Sequence, residues 1–432
     1  MKISSVKGFH DVLPDQTARW SWMEQQAREA FARYGYSEIR IPLLERTEVF
    51  SRSIGEATDI VEKEMYTFED RDGASVSLRP EGTASVVRAY VEHALHQREP
   101  FSKLYYIGPM FRRERPQKGR LRQFHQIGVE AIGRDDAAVD AEVVLLLHDL
   151  ISVLKVRGPR IELNSLGCNE CRPKYKELLR AFGEARRDQL CENCQRRLER
   201  NPMRLLDCKV DACRPVTADA PKITDHLCDA CRAHFDTVRR LLARERVETH
   251  LNPRMVRGLD YYCRTAFEVS AEGLGSQSAV GGGGRYDGLV RAFGGPDAPG
   301  IGFALGVERL LLAMAEEAVP RAATAEVFLA PLDIAAESEA THLAHSLRRD
   351  GMRVELTSAG KSLKSQMRLA DRLGVPYVLI LGADELAANA VTVRDMAGKR
   401  NFPRSVQLPT TAGDLRAALV RLSAEPPVEQ PL

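Results

Sequence analysis

The sequence predicts an α+β domain built on an antiparallel sheet, interrupted by an inserted, Cys-rich and mainly helical segment, and followed by a small α/β domain. Two strand-like runs, KLYYIGPMF and RQFHQIGVEAIG, are joined by a polar loop and predict a long antiparallel hairpin. Eight of the nine cysteines lie between Cys168 and Cys231, where the strand pattern stops. Beyond about residue 325 strands and helices alternate, as they do in α/β domains. The 432 residues suffice for two or three domains with ample cores.

The elements before and after the hairpin follow from apolar spacing. Residues 17–34 repeat apolar side chains at helical intervals. The predicted buried face of this helix comprises Met23, Ala27, Ala30, Phe31 and Tyr34. The run SEIRIPLLE at 37–45 predicts a strand that contains Pro42. After the Cys-rich segment, 168–240, the run YCRTAFEV predicts a strand, and GIGFALGVERLLLAMAEE predicts a strand that enters a helix.

The last quarter of the chain predicts a separate domain that begins near 318–325. EVFLAPL, MRVEL and PYVLILG read as strands, and a helix lies in each interval between them. The first of these helices is predicted to bury Ala336, Ala340, Leu343, Ala344 and Leu347. The tail at 425–432, EPPVEQPL, is predicted to be disordered.

Composition limits the class of protein. Apolar residues make up 44% and charged residues 28%, an ordinary globular balance. The net charge of +2 means that a nucleic-acid partner has to be met by local basic patches. No stretch approaches the ~20 apolar residues of a membrane span, and the first residues lack the apolar core of a signal peptide. We therefore expect a cytoplasmic protein.

The second hairpin strand carries the strongest functional signal. Strand alternation puts Phe124, Gln126, Gly128 and Glu130 on one face. The opposite face carries Ile127, Val129 and Ala131 and is predicted to meet the core. A ring, an amide, a gap and a carboxylate in a row suit an extended ligand.

Six basic residues between Arg112 and Arg122, with Glu114 as the only acid, add guanidinium forks that suit phosphates or a carboxylate. The alternative is an exposed edge hairpin whose arginines are merely solvated.

The glycine run GGGGRYDG at 281–288 is not a known nucleotide motif. It lacks the Lys-Ser/Thr of a P-loop and the spacing of a dinucleotide fingerprint. Its glycines therefore indicate either a tight bend or a place where the backbone approaches a ligand.

The clustered cysteines predict metal sites. Three pairs have Cys-x-x-Cys spacing and a fourth pair has four intervening residues; the pairs are Cys168/Cys171, Cys191/Cys194, Cys228/Cys231 and Cys208/Cys213. Two pairs complete a tetrahedral four-thiolate site, so eight thiols predict two structural zinc sites, with the pairing left open. Surface disulfides and free buried thiols are the alternatives. Cys263 stands apart and is expected to be a packed core residue.

Five segments together resemble the histidyl-tRNA synthetase family of class II aminoacyl-tRNA synthetases. They are SLRPEGT (77–83), GPMFRRERPQKGRLRQFHQIGVE (108–130), RGLDYYCRTAFE (257–268), GGGGRYDGL (281–289) and GFALGVERL (302–310). The resemblance runs from about residue 4 to about 420, and RGLDYY is its most specific part. Many members of the family lack the cysteines of the inserted segment.

The resemblance implies a domain plan. A class II catalytic domain would occupy 1–322, with the insert at 168–240, and an anticodon-binding α/β domain would occupy 325–424. Motif 1 would lie at about 17–45, where the family forms a homodimer. Motifs 2 and 3 would lie at about 104–130 and about 302–313.

The resemblance also implies the reaction and its charged residues. Histidine and ATP, taken with Mg²⁺, would give histidyl-adenylate and pyrophosphate, and the histidyl group would then pass to tRNA(His). The implied catalytic residues are Arg112, Arg257 and Arg309. The implied ATP contacts are Arg112, Glu114, Arg120, Phe124 and Arg309, with Phe124 stacking on adenine.

Histidine recognition is implied for a second set of residues. Glu81 and Thr83 would meet the α-amino group, and Glu130 and Tyr262 would meet the imidazole. The complete implied set is Glu81, Thr83, Arg112, Gln126, Glu130, Arg257, Tyr261, Tyr262 and Tyr286. For any single one of the tyrosines, core packing is the alternative role.

Contacts to tRNA are implied at two places. Arg115, Gln117 and Lys118 in the hairpin loop would meet the acceptor end. Lys361, Lys364 and Arg368 would contact phosphates near the anticodon, with solvated side chains as the alternative.

Two further functions have to be weighed. A catalytically inactive paralogue that senses histidine and regulates a biosynthetic transferase would typically lack the C-terminal domain and the arginines. A sensor of uncharged tRNA would normally be fused to a signalling domain. The retained arginines and the C-terminal domain favour the catalytic synthetase.

Overall fold

The computed structural model describes residues 3–55, 58, 60–275, 278–315, 318, 325–398, 400–401 and 405–424. The chain divides into two compact units, Met1–Val319 and Pro320–Leu432. The predicted disordered tail at 425–432 lies outside the described residues. None of the helices in the described ranges is both long and apolar enough to cross a lipid bilayer.

The first unit combines eleven strands and eleven α-helices in its described part, with four short π- or 3-10-helical turns besides. The strands are β1 (Ser37–Glu38), β2 (Leu44–Arg46), β3 (Tyr66–Glu69), β4 (Ser75–Leu78), β5 (Ser102–Phe111), β6 (Gln123–Ile132), β7 (Arg160–Ser165), β8 (Thr249–Leu251), β9 (Cys263–Ser270), β10 (Ala279–Arg285) and β11 (Gly300–Gly306). The helices are α1 (Pro14–Arg33), α2 (Thr47–Ile54), α3 (Thr83–Glu92), α4 (Leu95–Arg98), α5 (Ala137–Val153), α6 (Cys171–Glu184), α7 (Glu192–Arg200), α8 (Cys213–Val216), α9 (Asp229–Arg244), α10 (Leu289–Ala292) and α11 (Val307–Ala313).

One large sheet organises this unit. Its eight strands run in the order β1-β5-β6-β11-β10-β9-β7-β8, and all neighbours are antiparallel except the outermost pair at each end. The predicted hairpin is confirmed as β5 and β6, which pair from Ser102 opposite Ile132 to Phe111 opposite Gln123. The antiparallel character of the predicted fold is therefore confirmed.

The single strand predicted at 37–45 is wrong. Its first part, β1, pairs with β5 in the large sheet, while its last part, β2, pairs with β4 in a separate three-stranded sheet. Pro42 lies between the two parts, where it has no backbone N–H to donate to a strand ladder. The chain therefore leaves one sheet and enters another at the proline.

The core of the first unit lies between one face of the large sheet and its helices. The predicted apolar face of β6 is confirmed, because Ile127, Val129 and Ala131 are fully buried. On α1, four of the five predicted residues are buried (Met23, Ala27, Ala30 and Phe31), and Tyr34 lies just beyond the end of the helix. This packing fixes which face of β6 turns away from the core.

The glycine run forms the interior strand β10, so the predicted tight bend is wrong. A Cβ on Gly283 would lie 2.0 Å from the carbonyl oxygen of Gly302, so only glycine permits this closeness to β11. A Cβ on Gly282 would also lie 2.9 Å from Nη1 of Arg257. The glycines thus allow neighbouring strands and an arginine to approach the backbone.

The Cys-rich segment is helical, as predicted. It contains α6, α7, α8 and α9 and connects β7 to β8, which are paired in the same sheet. Its last helix, α9, packs on α5, and Phe235, Val238 and Leu242 belong to the main core. The segment is therefore anchored to the sheet at both of its ends.

The second unit is built on one mixed sheet. Its strands are β12 (Val327–Pro331), β13 (Val354–Leu356), β14 (Tyr377–Leu381), β15 (Ala390–Asp395), β16 (Arg400–Asn401) and β17 (Val406–Gln407). Its helices are α12 (Ile334–Arg349), α13 (Leu363–Arg372), α14 (Ala383–Ala387) and α15 (Ala412–Ala424). The first three strands are parallel and confirm the predicted alternation, while β15, β16 and β17 are antiparallel additions that the sequence did not reveal. The predicted face of α12 is fully or almost fully buried.

Candidate active site

A fully buried carboxyl group, Glu130, stands at the centre of the site. It lies on β6 opposite Gly302 of β11, and a Cβ on Gly302 would be only 2.1 Å from its Oε2. The hydroxyl of Thr83 donates to Oε1 at 2.7 Å, and the hydroxyl of Tyr286 donates to Oε2 at 2.6 Å. Burial raises the pKa of Glu130 to about 8 against the opposing effect of these two hydroxyls. At neutral pH the group is thus held largely protonated in the folded chain.

A second buried carboxyl group, Glu81, precedes helix α3. Its two oxygens accept hydrogen bonds from the backbone N–H groups of Thr83 and Ala84, at 2.8 and 2.9 Å. The hydroxyl of Tyr261 lies 3.4 Å from Oε2. Burial raises the pKa of Glu81, and the backbone N–H groups and the charge of Arg112 act in the opposite direction. Glu81 therefore links the start of α3 to Tyr261 and lies within electrostatic reach of Arg112.

The RGLDYY segment brings an arginine and two tyrosines to these carboxyl groups. The rings of Tyr261 and Tyr262 lie 4.6 Å apart, and Tyr286 meets Tyr261 edge to face at 6.0 Å. The guanidinium of Arg257 lies 5.4 Å from the ring centre of Tyr262. Burial raises the pKa of Tyr262, and Arg257 opposes that rise. All three tyrosines predicted to line the pocket are thus adjacent to Glu81 or Glu130.

Two buried polar atoms at this place lack a hydrogen-bond partner. They are Oε1 of Gln126 and Nε of Arg257, as judged over the residues that the structure describes. An unpaired buried polar atom costs about 1–3 kcal/mol, so such atoms commonly mark a missing ligand. Gln126 lies on the same strand as Glu130, and Arg257 lies over the ring of Tyr262, so the two unpaired atoms point to a polar ligand at this place.

The hairpin contributes the remaining cations. Nε of Arg112 donates to the carbonyl of Pro80 at 2.9 Å, and its guanidinium lies 5.2 Å from the ring centre of Phe124. Glu114 accepts from Arg120 at 2.7 Å and lies 3.9 Å from Nη1 of Arg112. The structure therefore places Arg112, Glu114, Arg120 and Phe124 together on one hairpin.

Arg309 reaches the same cations from helix α11. Its Nε donates to the carbonyl of Ala279 on β10 at 2.6 Å. Burial lowers the pKa of Arg309, and the nearby charge of Arg120 lowers it further. Two guanidiniums held within electrostatic reach of each other are suited to a polyanion such as a triphosphate.

The basic residues assigned to tRNA are exposed. A tight turn at the tip of the hairpin pairs Gln117 with Arg120. Arg115, Gln117 and Lys118 are solvent-exposed there. In the second unit, Lys361, Lys364 and Arg368 are also exposed, at the start and along the outside of α13.

Several residues of the site were missed by sequence reasoning. The gap expected at Gly128 is filled by Tyr106, because a Cβ on Gly128 would lie 2.4 Å from that ring. The register of the hairpin, which puts Tyr106 opposite Gly128, was the available signal. Glu268 of β9, which pairs with Nη1 of Arg257 at 3.0 Å, gave no signal beyond its place at the end of the RGLDYYCRTAFE run.

The eight clustered cysteines form two groups of four. Cys168, Cys171, Cys228 and Cys231 form the first cluster, and Cys191, Cys194, Cys208 and Cys213 form the second. Neighbouring sulfurs in these clusters lie 3.7–3.9 Å apart, and none of the cysteines is in a disulfide. A tetrahedron of thiolates at the usual Zn–S distance has edges of about 3.8 Å. The disulfide alternative is therefore wrong for the described structure, and the pairing left open by the sequence is resolved.

The thiols within each cluster differ in their electrostatic surroundings. Burial opposes ionisation of Cys168, but the N–H groups of Cys171 and Glu170 outweigh it and lower its pKa to about 7. Burial and neighbouring sulfurs raise the pKa of Cys231 and Cys194 well above the ordinary value. If all four sulfurs of a cluster ionised, their charges at this spacing would call for a cation among them.

Comparison with known sequences places the chain in one family. A family model for histidyl-tRNA synthetase matches residues 8–310, and one for an anticodon binding domain matches residues 326–408. A histidine–tRNA ligase from Syntrophotalea carbinolica is 53% identical over 409 residues, which cover 94% of this chain and 97% of that protein. Another, from Solidesulfovibrio magneticus, is 53% identical over 421 residues, covering 97% of this chain and 98% of its relative.

Solved structures agree on the fold. The apo histidyl-tRNA synthetase of S. aureus superimposes with a TM-score of 0.79 at 35% identity, covering 97% of this chain and 99% of that one. An ATP phosphoribosyltransferase regulatory subunit/histidyl-tRNA synthetase from Bacillus halodurans shares the fold, with a TM-score of 0.62 at 20% identity, over 86% of this chain and 97% of its own. The predicted class II synthetase fold with a C-terminal anticodon-binding domain is confirmed. By sequence along almost its whole length and by fold, the chain belongs to the histidyl-tRNA synthetase family.

Proposed function

We propose that this chain is a histidine–tRNA ligase. It joins L-histidine to ATP as histidyl-adenylate with release of pyrophosphate, and then transfers the histidyl group to tRNA(His) with release of AMP. The observation that carries the proposal is a buried group of side chains in which Glu130 is hydrogen-bonded to Thr83 and Tyr286, and Glu81 lies 3.4 Å from the hydroxyl of Tyr261. The ring of Tyr261 lies 4.6 Å from that of Tyr262, which in turn lies 5.4 Å from the guanidinium of Arg257. Relatives about half identical to this chain carry the name of that activity.

The first chemical step requires cations rather than a base. The carboxylate of histidine is already an anion, so the barrier lies in bringing it to the α-phosphate and in the charge that develops there. Arg112 bridges the substrate carboxylate and the α-phosphate, and Arg257 contacts the α-phosphate from the other side. Arg257 is prepared for this role by its unpaired Nε and by Glu268, which holds Nη1 at 3.0 Å.

The outer phosphates of ATP bind to the arginines of the hairpin and of α11. Arg120 and Arg309 hold them, and Phe124 stacks on adenine beside Arg112. Glu114 keeps Arg120 in place through a 2.7 Å hydrogen bond. Glu114 and Glu268 are the carboxylates of this site that would hold a Mg²⁺ brought with ATP, and the ion would supply positive charge against the phosphates.

Histidine is selected by the buried groups at the other end of the pocket. Glu130 and Tyr262 contact the two ring nitrogens, and Thr83 and Tyr286 orient Glu130 through their hydroxyls. Glu81 and Gln126 hold the amino and carboxylate end, with Tyr261 closing the pocket at Glu81. A side chain with only one of the two ring nitrogens leaves a buried partner unpaired, which costs a few kcal/mol.

The two units divide the work in this proposal. Residues 1–322 form the adenylation domain with its insert at 168–240, and residues 325–424 read the anticodon region of the tRNA. The exposed loop residues Arg115, Gln117 and Lys118 meet the acceptor end. The enzyme acts in the cytoplasm, where translation takes place.

A homodimer is the proposed working form. Leu43, Leu44 and Phe68, in and beside the three-stranded sheet, expose 40–48% of their surface in the single chain. Exposed apolar side chains gathered near one small sheet suit an interface. Sedimentation equilibrium that gave only the mass of one chain at micromolar concentration would contradict this assignment.

The two cysteine clusters are proposed zinc sites. Four sulfurs at tetrahedral spacing fit a closed structural zinc site. Zinc there stabilises the inserted segment and supplies no chemistry to the reaction. Elemental analysis of the purified protein tests this directly, with two zinc ions per chain expected.

The activity is tested by ATP–pyrophosphate exchange with each of the twenty amino acids. Exchange with histidine alone is expected, followed by charging of tRNA(His) transcripts by the same preparation. Protein that binds histidine but gives no exchange would instead be the regulatory paralogue. Exchange with another amino acid would remove Glu130 and Tyr262 from their assigned roles.

A further inference from the structure

The segment that carries the histidine-binding residues has no regular structure of its own. Residues 252–262, between β8 and β9, form neither helix nor strand, yet they contain Arg257, Tyr261 and Tyr262. The backbone N–H and C=O groups of such a segment need partners from elsewhere in the fold. Its shape is therefore set by whichever elements supply those partners.

The inserted helical segment supplies one of these partners at Tyr262. Nη1 of Arg172 donates a hydrogen bond to the carbonyl oxygen of Tyr262 at 2.5 Å. Arg172 lies on the first turn of α6, directly after Cys171, and its own N–H donates to the carbonyl of Cys168 at 3.0 Å. Its position is thus tied to the turn that carries the first two sulfurs of the first cluster.

The first cluster also packs against the same tyrosines. Cys171 and Cys231 share one apolar cluster with Tyr262, and Cys168, Cys228 and Tyr261 pack at its border. On the other side of Tyr262, the N–H of Arg264 donates to the carbonyl of Gly167 at 2.9 Å. The backbone is thereby held at Tyr262 itself and at Arg264, two residues further on, by residues 167–172.

We infer that Arg172 is a positioning residue for histidine, and that the first cysteine cluster fixes it in place. Arg172 holds the backbone of Tyr262, so that the ring of Tyr262 stays beside Glu130 and Arg257. This inference rests on the proposed function. It assigns to the inserted segment a role in amino-acid affinity rather than in folding alone.

The test uses Arg172→Met, which keeps an apolar stem and removes the donors. Histidine binding is measured by calorimetry without ATP, and KM values are measured in pyrophosphate exchange. We expect the Kd and KM for histidine to rise between about 10-fold and 100-fold, as misplaced contact groups commonly cause. The KM for ATP should stay within about twofold, because Arg112, Arg120 and Arg309 do not depend on this contact. Arg172→Lys, which restores one charged donor, should recover part of the loss.

Arg180→Met is the matched control. Arg180 lies on the same helix and also donates to a backbone carbonyl, that of Leu198 at 3.1 Å, but this carbonyl belongs to the insert. The histidine affinity of Arg180→Met should match that of the unchanged protein. Equal histidine affinity in Arg172→Met, or an equal loss in Arg180→Met, would overturn the inference.

Two further measurements keep the outcomes apart. Zinc content and unfolding midpoint are measured for both variants. The inference is overturned if Arg172→Met loses zinc together with histidine affinity and Arg172→Lys recovers no histidine affinity. A failure of the proposed function is recognised separately, because the unchanged protein would then show no exchange with histidine at all.

Discussion

At the scale of single residues, Glu130 links burial to pH. The ordinary pKa of a glutamate is about 4.3, and burial raises the pKa of Glu130 to about 8 in the folded chain. Between these values the folded chain keeps a proton that the unfolded chain releases. The stability that Glu130 contributes is therefore complete below about pH 4.3 and is lost as the pH rises through about 8.

Glu130→Gln removes this titration, and its effect should depend on pH. Without ligand, we expect the unfolding free energy of the variant relative to the unchanged protein to increase from pH 5 to pH 8, by up to about 3.5 kcal/mol. Denaturant unfolding at pH 5, 6.5 and 8 measures this difference. Glu69→Gln, at an exposed position on β3, is the control and should give no pH-dependent difference. Parallel curves for Glu130→Gln and the unchanged protein would show that Glu130 ionises normally.

The residues around Glu130 mark the limit of sequence reasoning at this scale. Strand alternation predicted which face of β6 carries Gln126 and Glu130, because it needs only neighbouring residues. The partners of Glu130 are 47 and 156 residues away in the chain, as Thr83 and Tyr286, and no local pattern brings them together. Their grouping came from family resemblance, and their hydrogen bonds to Glu130 came only from the structure.

At the scale of elements, the two cysteine clusters differ in the parts of the fold that they stabilise. The first cluster fixes the start of α9, whose apolar side chains belong to the core of the large sheet. The second cluster lies in a small apolar group of its own with Leu190, Leu198 and Leu205. Loss of metal from the first cluster should therefore lower the stability of the whole first unit. Loss from the second cluster should lower mainly the stability of the insert.

Paired cysteine variants test this difference. Cys228→Ser/Cys231→Ser and Cys191→Ser/Cys194→Ser should each retain one zinc ion per chain. We expect the first pair to lower the unfolding midpoint of the first unit more than the second, because it releases the start of α9. Cys263→Ser, a buried cysteine outside both clusters, should keep two zinc ions and serves as the control. Equal midpoints for the two pairs would contradict the assigned roles.

The elements that sequence reasoning missed share a physical cause. The break at Pro42 and the glycine strand β10 depend on which strands lie beside them, and alternation along the chain does not contain that information. The same applies to the short strands β16 and β17, with two residues each, which exist only by pairing with β15. The helices α1, α12 and α13 were predictable because their apolar spacing is local, as are the caps Asp333 and Ser362 of α12 and α13 and the proline that begins α1.

At the scale of the whole molecule, the proposed chemistry and the proposed tRNA-reading surface lie in different units. Each residue assigned to histidine or ATP lies in the first unit, and the basic surface of α13 lies in the second. Adenylate formation needs only small substrates, so it should not respond to charge on α13. Charging should respond, because it requires the tRNA to be held through its phosphates.

Lys364→Ala/Arg368→Ala separates these two reactions. We expect unchanged histidine-dependent pyrophosphate exchange, a higher KM for tRNA(His) in charging, and a salt dependence of that KM reduced by about one logarithmic unit of slope for each lost phosphate contact. Arg349→Ala/Arg421→Ala, which removes two exposed arginines from α12 and α15, is the matched control for net charge and should behave like the unchanged protein. If both double variants raise the KM for tRNA equally, α13 is not a specific contact and only the overall charge of the unit matters. If neither variant changes it, the tRNA is read by another surface.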